Sequence, residues 1–250
     1  MTAPRLDEHP LPGALPRYEL EEWSRRYGLV AGITGRGNGF NLGLLTPEPA
    51  DAVTARWRQL FAALAPGFAT YAVGLQAHEI RIATHADPPP GWLILDGVDG
   101  HATRTPGVLI TVTVADCVPV YLAHPPSRTV ALLHAGWRGV AAGMLETGVS
   151  RIMELAGALV GDIVIHCGVA ICGSCYEVGP EVQFAVLGAP RPAGPLDLRA
   201  ALAERTRALG VGAISVSGWC SAHDGDRFYS HRRSGGRDGR MLAYLGLPRA

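Results

Sequence analysis

The strongest constraint on the fold is a pair of apolar runs that only a short proline-containing segment separates. The first run covers residues 111–123 and the second covers residues 129–134. Runs rich in valine, threonine and leucine that end at proline and serine are typical of strands joined by a short connection. If His124-Pro125-Pro126-Ser127 forms the turn, the sequence predicts an antiparallel hairpin.

Cys117 and His134 are equally distant from the centre of this turn, so the hairpin would make them a directly opposed cross-strand pair. Such pairs hold their Cβ atoms about 4.5–5.5 Å apart. At that separation a thiolate and an imidazole can bind one zinc-sized ion, or can act as a nucleophile and a base. The alternative is that both are ordinary core residues, since cysteine is often buried. Asp116 and the Gly-Trp-Arg-Gly segment at 136–139 interrupt the apolar runs, which favours a functional site.

Composition favours one domain with a large core, because 48% of the 250 residues are hydrophobic. The 22 basic and 22 acidic residues balance, so we expect no nucleic-acid partner and no attraction to anionic membranes. All the basic residues are arginine, which excludes a Schiff-base lysine and a Walker-type phosphate loop. Any anion binding must therefore be local.

The N-terminal residues 1–17 contain acidic residues and prolines instead of a basic start followed by an apolar run. We therefore expect a poorly ordered segment and not a signal peptide. No stretch reaches the roughly 18 uninterrupted apolar residues of a membrane helix, so the sequence predicts a cytoplasmic protein. An odd number of cysteines in such a compartment favours free thiols or metal ligation. They are Cys117, Cys167, Cys172, Cys175 and Cys220.

Periodicity predicts an α/β (α+β) sandwich with mixed β-sheets flanked by helices, and not an alternating βαβ fold. Besides the hairpin, the predicted strands are residues 29–33, 69–75, 78–84, 162–167 and 213–217. The predicted helices are residues 49–64, 139–157, 180–188 and 197–209. Glycine-rich residues 35–43 and the prolines at 88–90 are predicted loops.

Residues 97–140, GVDGHATRTPGVLITVTVADCVPVYLAHPPSRTVALLHAGWRGV, resemble the YfiH-type family, also called laccase-domain or polyphenol oxidase-like. The resemblance extends to CYEVG at 175–179, to DRFYSHRRSGGRDGR at 226–240 and to Asn41-Leu42-Gly43. The pair ADC and HAGWRG at this spacing is its most specific part. The resemblance implies one YfiH-like domain over residues 1–250. It also implies a metal-dependent purine nucleoside phosphorylase with adenosine deaminase side activity.

Carried over residue by residue, the resemblance implies that His78, Cys117 and His134 are both the metal ligands and the catalytic residues. A Cys-His-His set suits zinc, with three protein ligands and one open position. The implied substrates are inorganic phosphate and adenosine, inosine, guanosine or S-methyl-5'-thioadenosine. The glycine that usually follows the first histidine is Glu79 here, which puts an extra carboxylate next to a ligand in sequence. His231 replaces a usual tyrosine, and its role stays open.

The candidate substrate-binding residues are three arginines and two polar side chains. Arg138, Arg232 and Arg233 suit phosphate, because a guanidinium fork matches phosphate oxygens. Asn41 and Tyr176 are candidates for contacts to the sugar or the base. For each of the five, a surface charge, a cap or a core polar group is the alternative.

Two other enzymatic functions stay open, and so does the role of a non-catalytic metal-binding protein. A Cys-His hydrolase linked to peptidoglycan editing would use Cys117 and His134 without a metal. A copper polyphenol oxidase, as the older family name suggests, is weakened because the nine histidines contain no His-x-His pair.

Cys172 and Cys175 form a Cys-x-x-Cys motif that the predicted function does not use. Such a motif can be a redox pair or half of a structural zinc site. The chain has no second Cys-x-x-Cys, so we interpret these as packing or rim thiols.

Overall fold

Both faces of the long central strands are apolar, and the computed structural model, which describes residues 3–249, buries both of them. Within these residues the strands form two large mixed sheets and one two-stranded ribbon. In chain order the strands are β1 (His9–Pro10), β2 (Arg17–Glu19), β3 (Val30–Thr34), β4 (Thr70–Leu75), β5 (Ile82–His85), β6 (Gly91–Asp96), β7 (Gly100–Thr103), β8 (Val108–Val114), β9 (Val118–His124), β10 (Thr129–Ala135), β11 (Val164–Cys167), β12 (Glu177–Val178), β13 (Gly194–Pro195), β14 (Ala213–Val216) and β15 (Met241–Gly246).

The helices are short or medium in length, and the longer ones pack on the outside of the sheets. In chain order they are α1 (Glu21–Tyr27), α2 (Ala50–Leu64), α3 (Trp137–Ala142), α4 (Met144–Ala156), α5 (Pro180–Leu187), α6 (Leu198–Ala208) and α7 (His231–Ser234). Among the described residues, no helix combines the length and the apolar character needed to cross a membrane.

The two large sheets are both mixed. The first has the order β1-β2-β3-β15-β8-β4-β6, in which β4 runs parallel to both of its neighbours. The second has the order β14-β11-β9-β10-β7-β5, with parallel pairs at its two edges and antiparallel pairs in its centre. The predicted fold class, a sandwich of mixed sheets flanked by helices, is confirmed.

Alternating side chains divide the hydrophobic core into three layers. In β9, Tyr121 and Ala123 pack between the two sheets, and Val120 and Leu122 pack against the helices that cover the second sheet. The third layer lies between the first sheet and α2, where Trp57 is fully buried. Fully burying one large apolar side chain contributes about 1.5–3 kcal/mol, so these layers hold the strands in a fixed register.

The hairpin of β9 and β10 forms, but its predicted register is wrong. His124 pairs with Thr129, so the connection consists of residues 125–128 instead of 124–127. It is a 3-10 turn at Pro125–Ser127 followed by Arg128 in the left-handed conformation, with φ 51°. The pairing is thereby shifted by two positions.

A two-residue shift preserves the face to which each side chain points, since strand side chains alternate with a period of two. His134 pairs with Pro119 and not with Cys117. Cys117 lies just before β9 and has no partner in the ladder, but its sulfur still lies within 4.8 Å of a ring nitrogen of His134.

The apolar run at 111–123 is two strands, not one. β8 ends at Val114 in the first sheet, and β9 begins at Val118 in the second sheet. The chain crosses between the sheets at residues 115–117, where Asp116 has φ 85°. A non-glycine residue in such a conformation costs about 1–3 kcal/mol, so the crossing must be held by other contacts.

The other predicted elements form with ends shifted by one or two residues, with two exceptions. The strand predicted at 78–84 is the shorter β5, which leaves His78 in the preceding loop. The helix predicted at 139–157 is divided into α3 and α4 at Gly143, which has φ 91°. Several elements were not predicted, most of them too short to give a clear periodicity. They are the strands β1, β2, β6, β7, β12, β13 and β15 and the helices α1 and α7.

The N-terminal segment makes specific contacts, which differ from the poor order expected for residues 1–17. Glu8 is fully buried and accepts hydrogen bonds from Ser217 Oγ at 2.6 Å and from the Val169 N–H at 3.2 Å. Its Oε1 also lies 3.3 Å from His166 Nε2. Residues 1, 2 and 250 lie outside the described part of the chain, and a single domain over residues 1–250 stays a prediction.

Candidate active site

His78, Cys117 and His134 meet where the hairpin approaches the loop between β4 and β5. Their ligand atoms all lie within 4.8 Å of one another. The His78 and His134 rings are 4.8 Å apart and nearly perpendicular, at 81°. The structure thus brings together the three side chains that the sequence suggested as metal ligands.

Asp99, which sequence reasoning missed, organises this cluster. It is fully buried, and its carboxylate accepts a hydrogen bond from His134 Nδ1 at 2.8 Å. It also accepts the backbone N–H groups of Ala77, His78 and Glu79 at 2.9–3.0 Å. One carboxylate therefore orients the His134 ring and shapes the loop that carries His78. The sequence offers no clear signal for Asp99, because the strand that follows it, β7, was not predicted.

These contacts also determine the charge of Asp99. Burial alone would raise the pKa of this carboxyl group, but the His134 imidazole and the loop N–H groups lower it below its usual range. The loop is tightly shaped, since His78 itself has φ 62°. An ionised Asp99 is therefore the form that holds both histidines in place.

The charges of Cys117 and His134 depend on each other. Burial alone would raise the pKa of the Cys117 thiol, but the His134 and His78 imidazoles lower it to about 6. Burial alone would lower the pKa of His134, but the Cys117 thiolate and the Asp99 carboxylate raise it to about 9. A thiolate is the form of cysteine that binds metals and attacks as a nucleophile.

Gly136 is required by the close packing around the Cys117 sulfur. A β-carbon at this position would lie 2.9 Å from Cys117 Sγ and 3.4 Å from His78 Cδ2. A side chain at residue 136 would therefore push the sulfur out of the cluster.

The cluster opens into a cavity of about 480 Å³. Ligand pockets in proteins usually have volumes of about 300–1,000 Å³, so a molecule the size of a nucleoside fits. Besides the cluster, its polar lining comprises Thr46, Gln76, Thr113, Asp116, Arg138, Tyr176, His231, Arg232 and Arg240.

Three of the five candidate substrate-binding residues line this cavity. The Arg138 guanidinium lies 4.4 Å from the centre of the Trp137 ring, and the Arg232 guanidinium lies 4.9 Å from the centre of the Tyr176 ring. Arg232 also donates from Nη1 to the backbone carbonyl of Glu177 at 2.6 Å. Burial raises the pKa of the Tyr176 phenol, so its hydroxyl stays protonated at neutral pH.

Asn41 does not line the cavity, and its side-chain amide makes hydrogen bonds to other groups of the protein. The amide nitrogen donates to Thr46 Oγ1 and to Glu48, and the amide oxygen accepts from the N–H groups of Gly43 and Arg240. Asn41 is therefore a structural residue that ties the glycine-rich loop to the C-terminal segment.

Arg233 and Glu79 also lie outside the cavity lining. The Arg233 guanidinium packs closely against the backbone of Gly225. The Glu79 carboxylate is not part of the metal-ligand cluster, although its N–H contributes to the Asp99 contacts. In contrast, His231 and Arg240 line the cavity, with Arg240 Nη2 3.5 Å from His231 Nδ1.

Asp116 joins the sheet crossing to the C-terminal segment. Its carboxylate accepts from Ser221 Oγ at 2.6 Å and from the backbone N–H of Arg232 at 2.6 Å. These bonds stabilise the strained conformation of Asp116. They also fix Arg232, at the start of α7, on the wall of the cavity.

Solved structures with this fold include those of YlmD and YfiH. The crystal structure of YlmD from Geobacillus stearothermophilus matches with a TM-score of 0.87 at 30% identity, covering 96% of this chain and 98% of that one. That of the hypothetical protein YfiH from Bacillus licheniformis matches with a TM-score of 0.86 at 27% identity, covering 94% and 97%. The chain therefore has the architecture of YfiH and YlmD, as the sequence resemblance implied.

The sequence model of the family described as multi-copper polyphenol oxidoreductase laccase matches residues 23–248, and the chain belongs to this family. A purine nucleoside phosphorylase from Deinococcus radiodurans is 37% identical over 259 aligned positions, which cover 100% of this chain and 96% of that protein. The adenosine deaminase RL5, from an unknown prokaryotic organism, is 39% identical over 162 positions, covering 59% of this chain and 62% of RL5.

The role of Asp99 can be tested by Asp99→Asn. A neutral amide accepts hydrogen bonds less strongly than a carboxylate, so the bonds from His134 and from the three loop N–H groups should weaken. Both histidines should then lose their orientation. Replacing a residue that orients a metal ligand usually lowers metal affinity about 10–100-fold, and we expect that loss here. Competition against a chelator measures it. Asp96→Asn, at an exposed aspartate nearby, is the matched control. Equal affinities in the two variants would contradict the proposed role.

Proposed function

We propose that this protein is a zinc-dependent purine nucleoside phosphorylase with adenosine deaminase side activity. The observation that carries the proposal is the cluster of His78, Cys117 and His134 at the base of a nucleoside-sized cavity lined by arginines. The names of the relatives, purine nucleoside phosphorylase and adenosine deaminase, support it. It would then be a glycosyltransferase with an additional hydrolase activity.

The donor set favours zinc. One thiolate and two imidazoles leave one position open, as in catalytic zinc sites, and His134 is oriented by Asp99 in the way that metal-binding histidines usually are. When bound, zinc would supply a Lewis acid at the base of the cavity. Copper, which the family description suggests, is the less favoured metal, since the chain lacks His-x-His pairs.

Phosphorolysis requires a site for a phosphate dianion beside the sugar. In this reaction a phosphate oxygen bonds to the anomeric carbon while the bond to the purine nitrogen breaks, and the purine leaves with the electron pair and gains a proton. Arg138 and Arg232 are the candidates for phosphate binding, because both guanidinium groups line the cavity. The protonated Tyr176 hydroxyl is suited to hydrogen bonds with the sugar or the base.

A Cys-His hydrolase, linked to peptidoglycan editing, is the second candidate. The hydrogen bond between His134 and Asp99 favours it, because Cys117, His134 and Asp99 resemble a nucleophile, base and orienting acid. In that mechanism the sulfur forms a covalent bond to the substrate, whereas a metal ligand does not.

Product analysis tests the reaction directly. We expect adenosine, inosine, guanosine and S-methyl-5'-thioadenosine to release free base and the corresponding sugar 1-phosphate only when inorganic phosphate is present. Some adenosine should also be converted to inosine without phosphate. Chromatography coupled to mass spectrometry identifies these products. Absence of every one of them from metal-loaded protein would refute the proposed function.

Metal removal separates the two candidate mechanisms. We expect a chelator to abolish nucleoside cleavage and zinc to restore it. Bound zinc should also protect Cys117 from iodoacetamide, and its removal should expose the thiol to alkylation, which peptide mass spectrometry locates. Full activity in metal-free protein, together with rapid inactivation by iodoacetamide, would instead support the hydrolase.

Arg138→Lys tests the phosphate site. A point charge cannot reproduce the two parallel hydrogen bonds of a guanidinium, and hydrogen bonds to charged groups contribute about 1.5–3 kcal/mol. We therefore expect the KM for phosphate to rise at least about tenfold. Arg26→Lys is a matched control. Arg26 also lies over the ring of an adjacent aromatic residue, Tyr27, but it does not line the cavity. An unchanged phosphate dependence would make Arg138 a structural residue.

A further inference from the structure

A second cluster of potential metal ligands lies outside the cavity lining. It consists of Cys172, Cys175, Cys220 and His223, whose ligand atoms all lie within 4.8 Å of one another. The His223 ring stands between two of the sulfur atoms, with Nδ1 3.5 Å from Cys172 Sγ and Nε2 3.3 Å from Cys175 Sγ. Four donors from two distant segments of the chain therefore converge on one point.

The local backbone supports this convergence. Cys172 precedes and Cys175 ends a 3-10 turn at Gly173–Cys175, and both sulfur atoms contact the His223 ring. In the second segment, Cys220 and His223 have the same spacing, Cys-x-x-His, within a run of turns. The N–H groups of Cys172 and His223 lie 3.3 and 3.4 Å from Cys220 Sγ, to which they donate. The bond from Cys172 joins the two segments directly at the Cys220 sulfur.

We propose that Cys172, Cys175, Cys220 and His223 bind a structural zinc ion. Three cysteines and one histidine form one of the usual closed, tetrahedral zinc sites, in which the protein occupies every coordination position. The His78, Cys117 and His134 cluster differs, because it has three ligands and leaves one position open. Soft thiolate ligands in this number select zinc over magnesium, calcium or manganese.

The proposed ion would join two segments that contribute to the cavity. Cys175 directly precedes Tyr176, which lines the cavity wall. Cys220 directly precedes Ser221, which donates to Asp116 at the sheet crossing. A zinc ion at this point would therefore fix the position of Tyr176 relative to Asp116. Its role is positional and structural, since none of its four ligands lines the cavity.

A disulfide between Cys172 and Cys175 is the competing chemistry, because a Cys-x-x-Cys motif can also be a redox pair. A disulfide would use only two of the four converging groups. In the structure, the three cysteines of the cluster, Cys172, Cys175 and Cys220, are free thiols. The two possibilities differ in thiol count and in metal content.

The metal content of single variants tests the proposal independently of the proposed enzymatic function. We expect the full chain, purified with zinc under reducing conditions, to contain about two zinc ions by native mass spectrometry. Cys117→Ser should lose the ion of the open cluster and keep the other. His223→Ala should lose the structural ion and show a lower Tm, because binding free energy at such sites contributes to folding. His9→Ala, at another exposed histidine, is the matched control and should keep both.

X-ray absorption identifies the ligands of the ion that remains in Cys117→Ser. We expect three sulfur atoms at about 2.3 Å and one nitrogen at about 2.0–2.1 Å. His223→Cys should keep the ion with a fourth sulfur in place of the nitrogen, a change that a misfolded variant would not give. Unchanged zinc content in His223→Ala, fewer than three sulfur ligands in Cys117→Ser, or a disulfide between Cys172 and Cys175 in the reduced preparation would each overturn the proposal.

Discussion

The buried carboxylate of Asp99 is the interaction on which the candidate active site depends. It lies at the start of a strand in the second sheet and accepts four hydrogen bonds, one from His134 and three from the loop that carries His78. A buried carboxylate without partners would be strongly unfavourable. The loop therefore folds around the charge, and the position of His78 follows from electrostatics more than from hydrophobic packing.

The sequence predicted the chemistry of the hairpin better than its geometry. Cys117 and His134 were expected to meet directly, and the register proved to differ by two residues. The two side chains still meet, because Cys117 lies directly before β9 and its sulfur lies within 4.8 Å of a ring nitrogen of His134. Asp116 interrupts the apolar run, and Pro119, which cannot donate to a strand ladder, indicates that a new strand starts just after Cys117, as β9 does. That the chain changes sheets at this point was not predicted.

The roles of individual polar residues were harder to predict from the sequence for a different reason. Residue type alone indicates that Asn41 can bind a ligand, but its side chain is saturated by Thr46, Glu48 and two backbone groups. Such competition is visible only when distant segments are placed together. Likewise, Cys172 and Cys175 looked like unused thiols because their partners, Cys220 and His223, form a Cys-x-x-His and not a second Cys-x-x-Cys. A site formed by two distant segments of the chain can be recognised only when the fold shows that the segments are close together.

The crossing at residues 115–117 makes Cys117 sensitive to the distance between the sheets. β8 belongs to one sheet and β9 to the other, and only three residues connect them. Any change in the thickness of the intervening core, for example at Val112 or Tyr121, must be absorbed by this short connection. Substitutions that thicken or thin the core far from the cavity would therefore tilt the sulfur relative to the two histidines. Packing between the two sheets therefore influences the geometry of the His78, Cys117 and His134 cluster.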